Sequence, residues 1–436
     1  MLFDLSTQEI LKTLYLYAII CGFMISFADI IFYIFIFLAL YVQVFFLVTY
    51  LEKKSILKKS LPELKTTPKV TFLIPCYNEE ATVGATVKSI KNIDYLQENI
   101  SIILVNDGSR DTTWEVLQQY VGDSQITLLN KPNGGKHTAL NFALPFVKTE
   151  FVCSFDADTS IVPNALKKAL AYFENDSELS VLGGAVLIEE PKTIVQHAQS
   201  IEYQMFSYTK KMLGLLGGVL VVPGAFSIFK KEALETVGGY KHGHLLEDLE
   251  LTYRMQVAGF KITHSHDAFV YTKGPSSLKA LYKQRLRWSY GYINNTYDYR
   301  KVILNKKYGN FGMFTMPMTL IAYPAILQIF ILFWYHAIQF FINRYTQVQV
   351  LGFGGLLPST SFDFFFVDTT FSTFLTLLLF GTIFLAIYLG KEVSNIKGFS
   401  IKSILWFVVI YSMMVPVWTL KALYNTVFGK KTSWGR

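Results

Sequence analysis

Apolar and polar positions follow two regimes along this chain. Residues 11–51 are almost unbroken apolar sequence, interrupted by Asp29. Ile30–Leu51 is long enough to cross a bilayer, and Leu11–Ala28 is either a second crossing or a helix lying on the surface. Asp29 between them reads as a turn residue or an interfacial cap. Residues 70–270 change character, with short apolar runs ending in polar turns. Strands are predicted at Val70–Pro75, Ile100–Val105, Ile126–Leu129 and Phe151–Phe155. Helices are predicted up to about Ile90, over Asp111–Tyr120 and over Lys136–Phe146. Strands alternating with helices imply parallel pairing. Polar clusters fall just past the strand ends, where open α/β sheets bind ligands. Apolar character returns over residues 314–342, with Pro317 and Pro324 as kink candidates, and over Phe371–Leu389. Ile401–Val427, broken by Pro416, reads as a third span or a re-entrant helix.

The two regimes meet at residues 273–291. Pro275 and Ser276 can open a helix there and Gly291 can end it. The resulting division is 1–52 for one or more N-terminal membrane helices, 53–69 for a basic linker and 70–272 for the α/β domain. Interfacial amphipathic helices take 273–312, membrane or re-entrant helices 313–428, and a basic tail 429–436.

Charge orients this layout. Apolar residues make up 52% of the chain and charged ones only 17%, which points to a membrane protein. The net charge of +8 suits an anionic bilayer surface and negatively charged substrates. Nucleic acid is not implied, because the basic residues flank apolar spans and no zinc-finger spacing occurs. Lys53, Lys54, Lys58, Lys59, Lys65 and Lys69 follow the first span, so the positive-inside rule predicts a cytoplasmic α/β domain. Lys391, Lys397 and Lys402 mark a later loop as cytoplasmic too. Three full crossings would then put the tail outside, whereas a re-entrant third segment would keep it inside. Cys21, Cys76 and Cys153 are far apart and read as thiols of a reducing compartment. No cleavable signal peptide is evident, so the N-terminal apolar stretch is expected to stay attached.

Several polar clusters carry chemistry, each beside an ordinary reading. Asp156-Ala157-Asp158, at a predicted strand end, can hold a hard divalent ion such as Mg²⁺ or Mn²⁺, which shares its shell with phosphate and water. Loops are rich in Asp, so the pair alone is weak. Asp107, one strand earlier, can accept from a base or ribose; the competing reading is a turn with a helix cap at Asp111. Lys131–Lys136 is a glycine turn entering a helix with a cation, able to touch phosphate or simply a loop. Glu247-Asp248 begins a helix, as a cap or a catalytic base. His242, His244, His264 and His266 with Asp267 invite a zinc reading, but ordinary exposed or strand-alternating histidines fit as well. Glycines at 214, 217, 218 and 224 admit either a close approach of a sugar to backbone or plain turns. In Gln284-Arg285-Leu286-Arg287-Trp288, two guanidiniums at i, i+2 can reach both sides of a diphosphate, and Trp288 offers a flat face to a sugar. The alternative is a basic helix on lipid headgroups, with Leu278, Leu281, Leu286 and Trp288 in the apolar layer. No convincing nucleophile–His pair is present, which agrees with inverting sugar transfer needing only one base.

In this order the motifs resemble those of membrane-embedded family-2 glycosyltransferases, the processive β-polysaccharide synthases. The resemblance covers about residues 70–300 in motif detail. It implies a GT-A-type α/β glycosyltransferase domain, with a mixed, mostly parallel sheet, inserted between transmembrane helices. It implies that Asn78, Glu79 and Asp107 hold uridine and that Lys136, in Gly134-Gly135-Lys136-His137-Thr138-Ala139-Leu140-Asn141, lies near the nucleotide. Asp156 is implied on the diphosphate and Asp158 on Mg²⁺ or Mn²⁺. Asp248 would be the base, with Glu247, Gln284 and Trp288 at the acceptor and Arg285 and Arg287 on the diphosphate. The tail Ser433-Trp434-Gly435-Arg436 is similar to a Trp-Gly ending of such synthases. Pro223-Gly224-Ala225, the Gly238-Gly239-Tyr240 turn and the single catalytic domain look most like poly-β-1,6-N-acetylglucosamine synthases, with hyaluronan and chitin-oligomer synthases next. Leu246 departs from the Thr or Ala usual before Glu-Asp, and the gate and regulatory barrel of cellulose synthases are missing. The implied reaction is inverting, processive transfer from a UDP-sugar, UDP-N-acetylglucosamine first, to a growing β-glycan at the inner face of the cell membrane. Beside the lipid bilayer, a small membrane accessory subunit is a partner this reading admits. The rival readings are a single-addition enzyme making a glycolipid and an inactive scaffold.

Overall fold

A computed structural model of the chain describes residues 30–55, 57, 63–352, 371–394 and 400–430. The expectations for Leu11–Ala28, Cys21, Asp29, Lys397 and the Trp-Gly tail lie outside the described residues. The chain forms two compact units, Met1–Phe45 with Ile321–Ile383, and Phe46–Leu320 with Phe384–Arg436.

Among the described residues, the first unit is helical. It contains parts of α1 (Ile30–Ser55), α10 (Met316–Leu351) and α11 (Phe371–Val393). Its apolar side chains face outward: Phe37, Phe341 and Leu377 are 66%, 69% and 66% exposed. Water does not tolerate so continuous an apolar surface, whereas lipid does. Together with Ile401–Val427, four helices among the described residues are long and apolar enough to cross a membrane. The chain is therefore a membrane protein.

The second unit is built on one eight-stranded sheet, ordered β3-β2-β1-β4-β7-β6-β8-β5. The strands are β1 (Val70–Cys76), β2 (Ile100–Asp107), β3 (Ile126–Lys131), β4 (Phe151–Phe155), β5 (Thr159–Ile161), β6 (Leu179–Ile188), β7 (Phe226–Lys230) and β8 (Lys261–Thr272). The helices are α2 (Val83–Lys91), α3 (Thr113–Gln118), α4 (Lys136–Ala143), α5 (Ala165–Asn175), α6 (Ile194–Leu215), α7 (Lys231–Thr236), α8 (Glu247–Val257), α9 (Leu278–Asp298) and α12 (Ile401–Val427). The four predicted strands form, and β1, β2, β3 and β4 pair in parallel as expected. β7 then enters antiparallel between β4 and β6, and β5 pairs antiparallel with β8, which makes the sheet mixed.

Period-two alternation sorts each central strand onto two cores. Phe72, Ile74, Ile102 and Leu104 pack with α2 and α5 through Val87, Ile90, Leu166 and Leu170. Leu73, Ile103 and Val105 pack on the other face with Leu140 of α4 and Leu251 and Met255 of α8. Both faces are covered, so β1 and β2 are nearly continuous apolar runs.

Three expectations are corrected. α9 starts after Ser277, whose hydroxyl accepts from the Ala280 N–H, and Gly291 does not end it. A Cβ at Gly291 would lie 2.6 Å from Leu246 Cγ and 2.7 Å from the His244 carbonyl, so this glycine permits a close crossing. α12 runs unbroken through Pro416. α3 is shorter than Asp111–Tyr120, because Asp111 lies ahead of the helix and accepts from the Thr113 N–H and hydroxyl. A π-helical turn, Phe311–Thr315, leads into α10. The Thr315 hydroxyl donates to the Gly218 carbonyl at 2.7 Å, and the Asn310 amide to the Leu216 carbonyl at 2.8 Å. That fixes the turn to the end of α6.

Candidate active site

Parallel pairing puts the C-terminal ends of β1, β2 and β4 along one edge. β7 runs the other way, with Phe226 opposite Phe155, so the segment before it, including Gly224, reaches that same edge. After β1, Asn78 adopts φ 56°, a region Asn enters more readily than most residues. Its N–H donates to Ser109 Oγ at 3.1 Å, and its side-chain oxygen accepts from the Arg110 N–H at 2.9 Å. The Glu79 N–H donates to Thr113 Oγ1 at 2.7 Å. These bonds join the loops following β1 and β2.

Asp107 is the last residue of β2 and is 2% exposed. Its carboxylate accepts from Lys131 Nζ at 2.5 Å and from the N–H groups of Gly134 and Gly135 at 3.1 and 2.8 Å. The Asn133 amide donates to its backbone carbonyl at 2.8 Å. The turn needs glycine: Gly108 has φ +66°, and a Cβ there would lie 2.6 Å from the Asn133 nitrogen.

Next along the edge, Lys136 opens α4 and bridges two carboxylates, Asp156 Oδ1 at 2.5 Å and Glu247 Oε1 at 3.0 Å. Glu247 and Asp248 form the first turn of α8, where the helix dipole favours negative charge. Asp248 Oδ2 accepts from the Gly224 N–H at 3.2 Å, and Oδ1 from the Leu249 N–H at 2.8 Å. A Cβ on Gly224 would lie 2.6 Å from Lys136 Nζ. Asp248 keeps some surface exposure, yet protein packed around its carboxyl, and then the charge of Glu247, push its pKa up to about 6. Burial also works against the charged form of Glu247, but Lys136 more than offsets this and holds it below the usual range. Lys136 itself is raised well above an ordinary lysine: burial opposes its charge, and Asp156 and Glu247 outweigh burial. The junction thus holds one cation, a Glu247 carboxylate held ionised by it, and one carboxyl poised to take a proton.

α9 supplies the third part. The Gln284 side-chain oxygen is buried with no hydrogen-bond partner among the described residues. Arg285 is buried; its guanidinium bonds the Glu202 carboxylate, approaches the Tyr411 hydroxyl at 3.5 Å and stacks 4.0 Å from the centre of the Trp288 ring. Arg287 Nη1 donates to the Leu245 carbonyl at 3.2 Å, and its charge helps to hold Glu247 ionised. Residues two apart on a helix point about 200° apart around its axis, and here the two guanidiniums take different partners. Trp288 packs against the apolar cluster that contains Leu246, Leu249 and Tyr253.

Asp158 follows β4, with the Thr159 hydroxyl 3.5 Å from its carboxylate. Tyr203 of α6 feels the charges of Arg285, Glu202 and Asp158 together, so α6 lies alongside both β4's end and α9. Among the described residues no group of three or more His, Cys, Asp or Glu side chains gathers for a metal. Asp158, with Asp156 shared with Lys136, offers hard carboxylate oxygens. That set fits Mg²⁺ or Mn²⁺, whose shells are completed by phosphate and water. It does not fit a closed zinc site. The histidines are parted: His264 bonds the Val221 carbonyl, His266 the Tyr172 hydroxyl and the Leu57 carbonyl, and His244 Asp298.

Sequence reading passed over Glu202, Tyr203 and Lys210 of α6 and Tyr411 of α12. Burial lowers the Lys210 amine to about 8, against the charges of Asp248 and Glu202. The available signal was charge inside an apolar helical run, since Glu202 and Lys210 interrupt Ile201, Tyr208, Met212 and Leu213.

Known proteins resemble this chain. The chain is 28% identical over 381 residues to the poly-β-1,6-N-acetyl-D-glucosamine synthase of Staphylococcus epidermidis, covering 87% of this chain and 88% of that one. It is 30% identical over 224 residues to the Staphylococcus aureus protein of the same name, covering 51% of this chain and 54% of the relative. A solved structure, a mannosyltransferase from Pyrobaculum calidifontis in complex with GDP-Man and Mn²⁺, superposes with a TM-score of 0.57 at 16% identity, over 92% of this chain and 99% of that one. This likeness bears on the fold and supports a GT-A architecture. The family described as "Glycosyltransferase like family 2" matches residues 68–291, and on that match the chain belongs to the family-2 glycosyltransferases and acts as a hexosyltransferase.

Proposed function

We propose that the protein polymerises a β-linked glycan by inverting, processive transfer from UDP-N-acetylglucosamine, at the cytoplasmic face of the cell membrane. The observation that carries this reading is the Lys136–Glu247–Asp248 junction. It presents one carboxyl with a raised pKa beside a fixed cation, on a chain similar over most of its length to synthases of that polymer.

Asp248 accepts the proton of the attacking hydroxyl; a base with a pKa near the working pH is the efficient choice. Gly224 N–H and the α8 dipole hold that carboxylate in place. Asn78, Glu79 and Asp107 take the uridine side of the sugar donor, where the loops after β1 and β2 are stitched together. Lys136 and Asp156 stand between the base and the diphosphate, and Arg287 approaches from α9. Glu247, Gln284 and Trp288 line the acceptor side, and the unpartnered Gln284 oxygen is ready to accept from a sugar hydroxyl. Asp158, with Asp156, would hold Mg²⁺ or Mn²⁺, whose contribution is to offset charge on the departing UDP. A UDP-sugar, the growing glycan and the bilayer are the partners; a small accessory membrane subunit is compatible with them.

The test is donor screening of the full chain in nanodiscs, with products sized and digested by linkage-specific hydrolases. Long chains made from UDP-N-acetylglucosamine and cut only by a β-1,6-specific enzyme are expected. A lipid carrying one sugar would replace this reading with single addition, and no UDP release from any donor would replace it with a scaffold.

A further inference from the structure

We propose that Glu202 and Tyr411 are positioning residues: they set the Arg285 guanidinium against Trp288 and so tie the floor of the acceptor site to membrane helix α12. The proposal rests on the reading that Trp288 lies under the acceptor sugar, and it moves Arg285 from the diphosphate to the support of that floor.

One carboxylate oxygen, Glu202 Oε2, takes both bonds. The Tyr411 hydroxyl donates to it at 2.6 Å, and Arg285 Nη2 donates to it as well. The side chains of Arg285 and Glu202 are only 4% and 8% exposed, so water does not supply alternatives. The guanidinium plane cannot turn without breaking the pair, and among the described residues its Nε and Nη1 have no hydrogen-bond partner. Tyr203 of α6 also feels its charge, and the indole lies 4.0 Å away, a cation–π stack that fixes the ring as the ring fixes it.

Polar ties join α12 to the α6–α9 pair at Ser403, Tyr411 and Thr426. Ser403 meets His197 of α6 at 3.2 Å, Tyr411 meets Glu202 and Arg285, and Thr426 accepts from Asn294 of α9 at 3.0 Å. The outer two are single hydrogen bonds. Only the middle one is ionic, and only it leads to a residue of the acceptor side. A buried ion pair is a poor way to gain stability over apolar packing, whereas it is demanding about geometry. A shift of α12 along or about its axis therefore reaches Trp288 through three side chains.

The experiment compares Tyr411→Phe and Glu202→Gln with Thr426→Val, which removes a neutral tie of the same helix. Acceptor KM, product length, donor KM and acceptor-free UDP release are measured on the full chain in nanodiscs. Tyr411→Phe and Glu202→Gln are expected to raise acceptor KM several-fold and to shorten products, with donor KM within about twofold of wild type. Thr426→Val is expected to leave acceptor KM unchanged. Equal effects of Tyr411→Phe and Thr426→Val would reduce the cluster to general helix docking and overturn the proposal. So would a matched rise in donor and acceptor KM, or no change in either. Wild-type protein that adds a single sugar would revise the function proposed above, yet the acceptor KM split would still decide the tie.

Discussion

Asp107 and Asp248 stand on the same edge of one sheet, and the surrounding chain treats them in opposite ways. Around Asp107, a lysine and two backbone N–H groups converge on the carboxylate, so its charge is part of what holds the 131–135 turn. Around Asp248, two backbone N–H groups bond the carboxylate while packing and the charge of Glu247 disfavour it. The first acid is ringed by donors that bind the turn to it. The second is ionised at neutral pH against a cost, which is what a proton acceptor requires. Burial alone does not separate a structural acid from a reactive one; the balance of donors and like charges does.

The strongest break of this comparison is the same Asp→Asn swap at both positions. Asp248→Asn should lower transfer by about 10²–10⁴-fold, the usual share of a general base, with UDP binding retained. Wild-type transfer should fall about tenfold per pH unit below about 6, and this limb should vanish from the residual activity of the variant. Its stability should move the other way. The folded pKa of Asp248 lies above the reference value of 3.8, so its contribution is complete below that value and is lost as pH rises through about 6. Removing the charge relieves that repulsion, while the amide nitrogen of Asn must face one of two N–H groups, so Asp248→Asn should lose less stability at neutral pH than Asp107→Asn. Unchanged transfer, or a stability loss as large as at Asp107, would remove the contrast.

Asp107→Asn should lower stability by about 3 kcal/mol, since it leaves Lys131 without its buried counter-charge and turns an amide donor toward an N–H. Thermal unfolding in detergent reads this directly. A variant as stable as wild type would mean that the turn does not depend on that charge.

Gly291→Ala sharpens the comparison with a smaller effect. Its methyl group meets Leu246 and the His244 carbonyl, just ahead of Glu247, and touches nothing near Asp107. A cost of about 1–3 kcal/mol is expected, with transfer down about tenfold and UDP affinity unchanged. Loss of UDP affinity in this variant would mean that the two carboxylates do not respond independently.

How much of this was legible in the sequence follows from range. Asp107, Asp156 and Glu247-Asp248 were readable because each sits where an apolar run stops, a local signal that strand and helix ends preserve. The partners of Arg285 are not legible because they lie 83 and 126 residues away, and no spacing rule links Gln-Arg-Leu-Arg-Trp to a glutamate in α6 or a tyrosine in α12. β7 was missed as an antiparallel insertion because five residues, nearly all buried, carry no mark of direction. Gly291 was taken for a helix stop because a glycine that breaks a helix and one that admits a neighbouring chain look the same without the neighbour. The N–H of Gly224 has no side chain to announce it, although it bonds the Asp248 carboxylate.

The wide turn at Phe311–Thr315 has a mechanical consequence. With its hydroxyl closed on the Gly218 carbonyl, Thr315 joins the root of α10 to the stretch that runs on, six residues later, to Gly224. A side chain on Gly218 would collide with that hydroxyl, so the segment leading to the backbone hydrogen bond under Asp248 admits no bulk where it meets the root of α10.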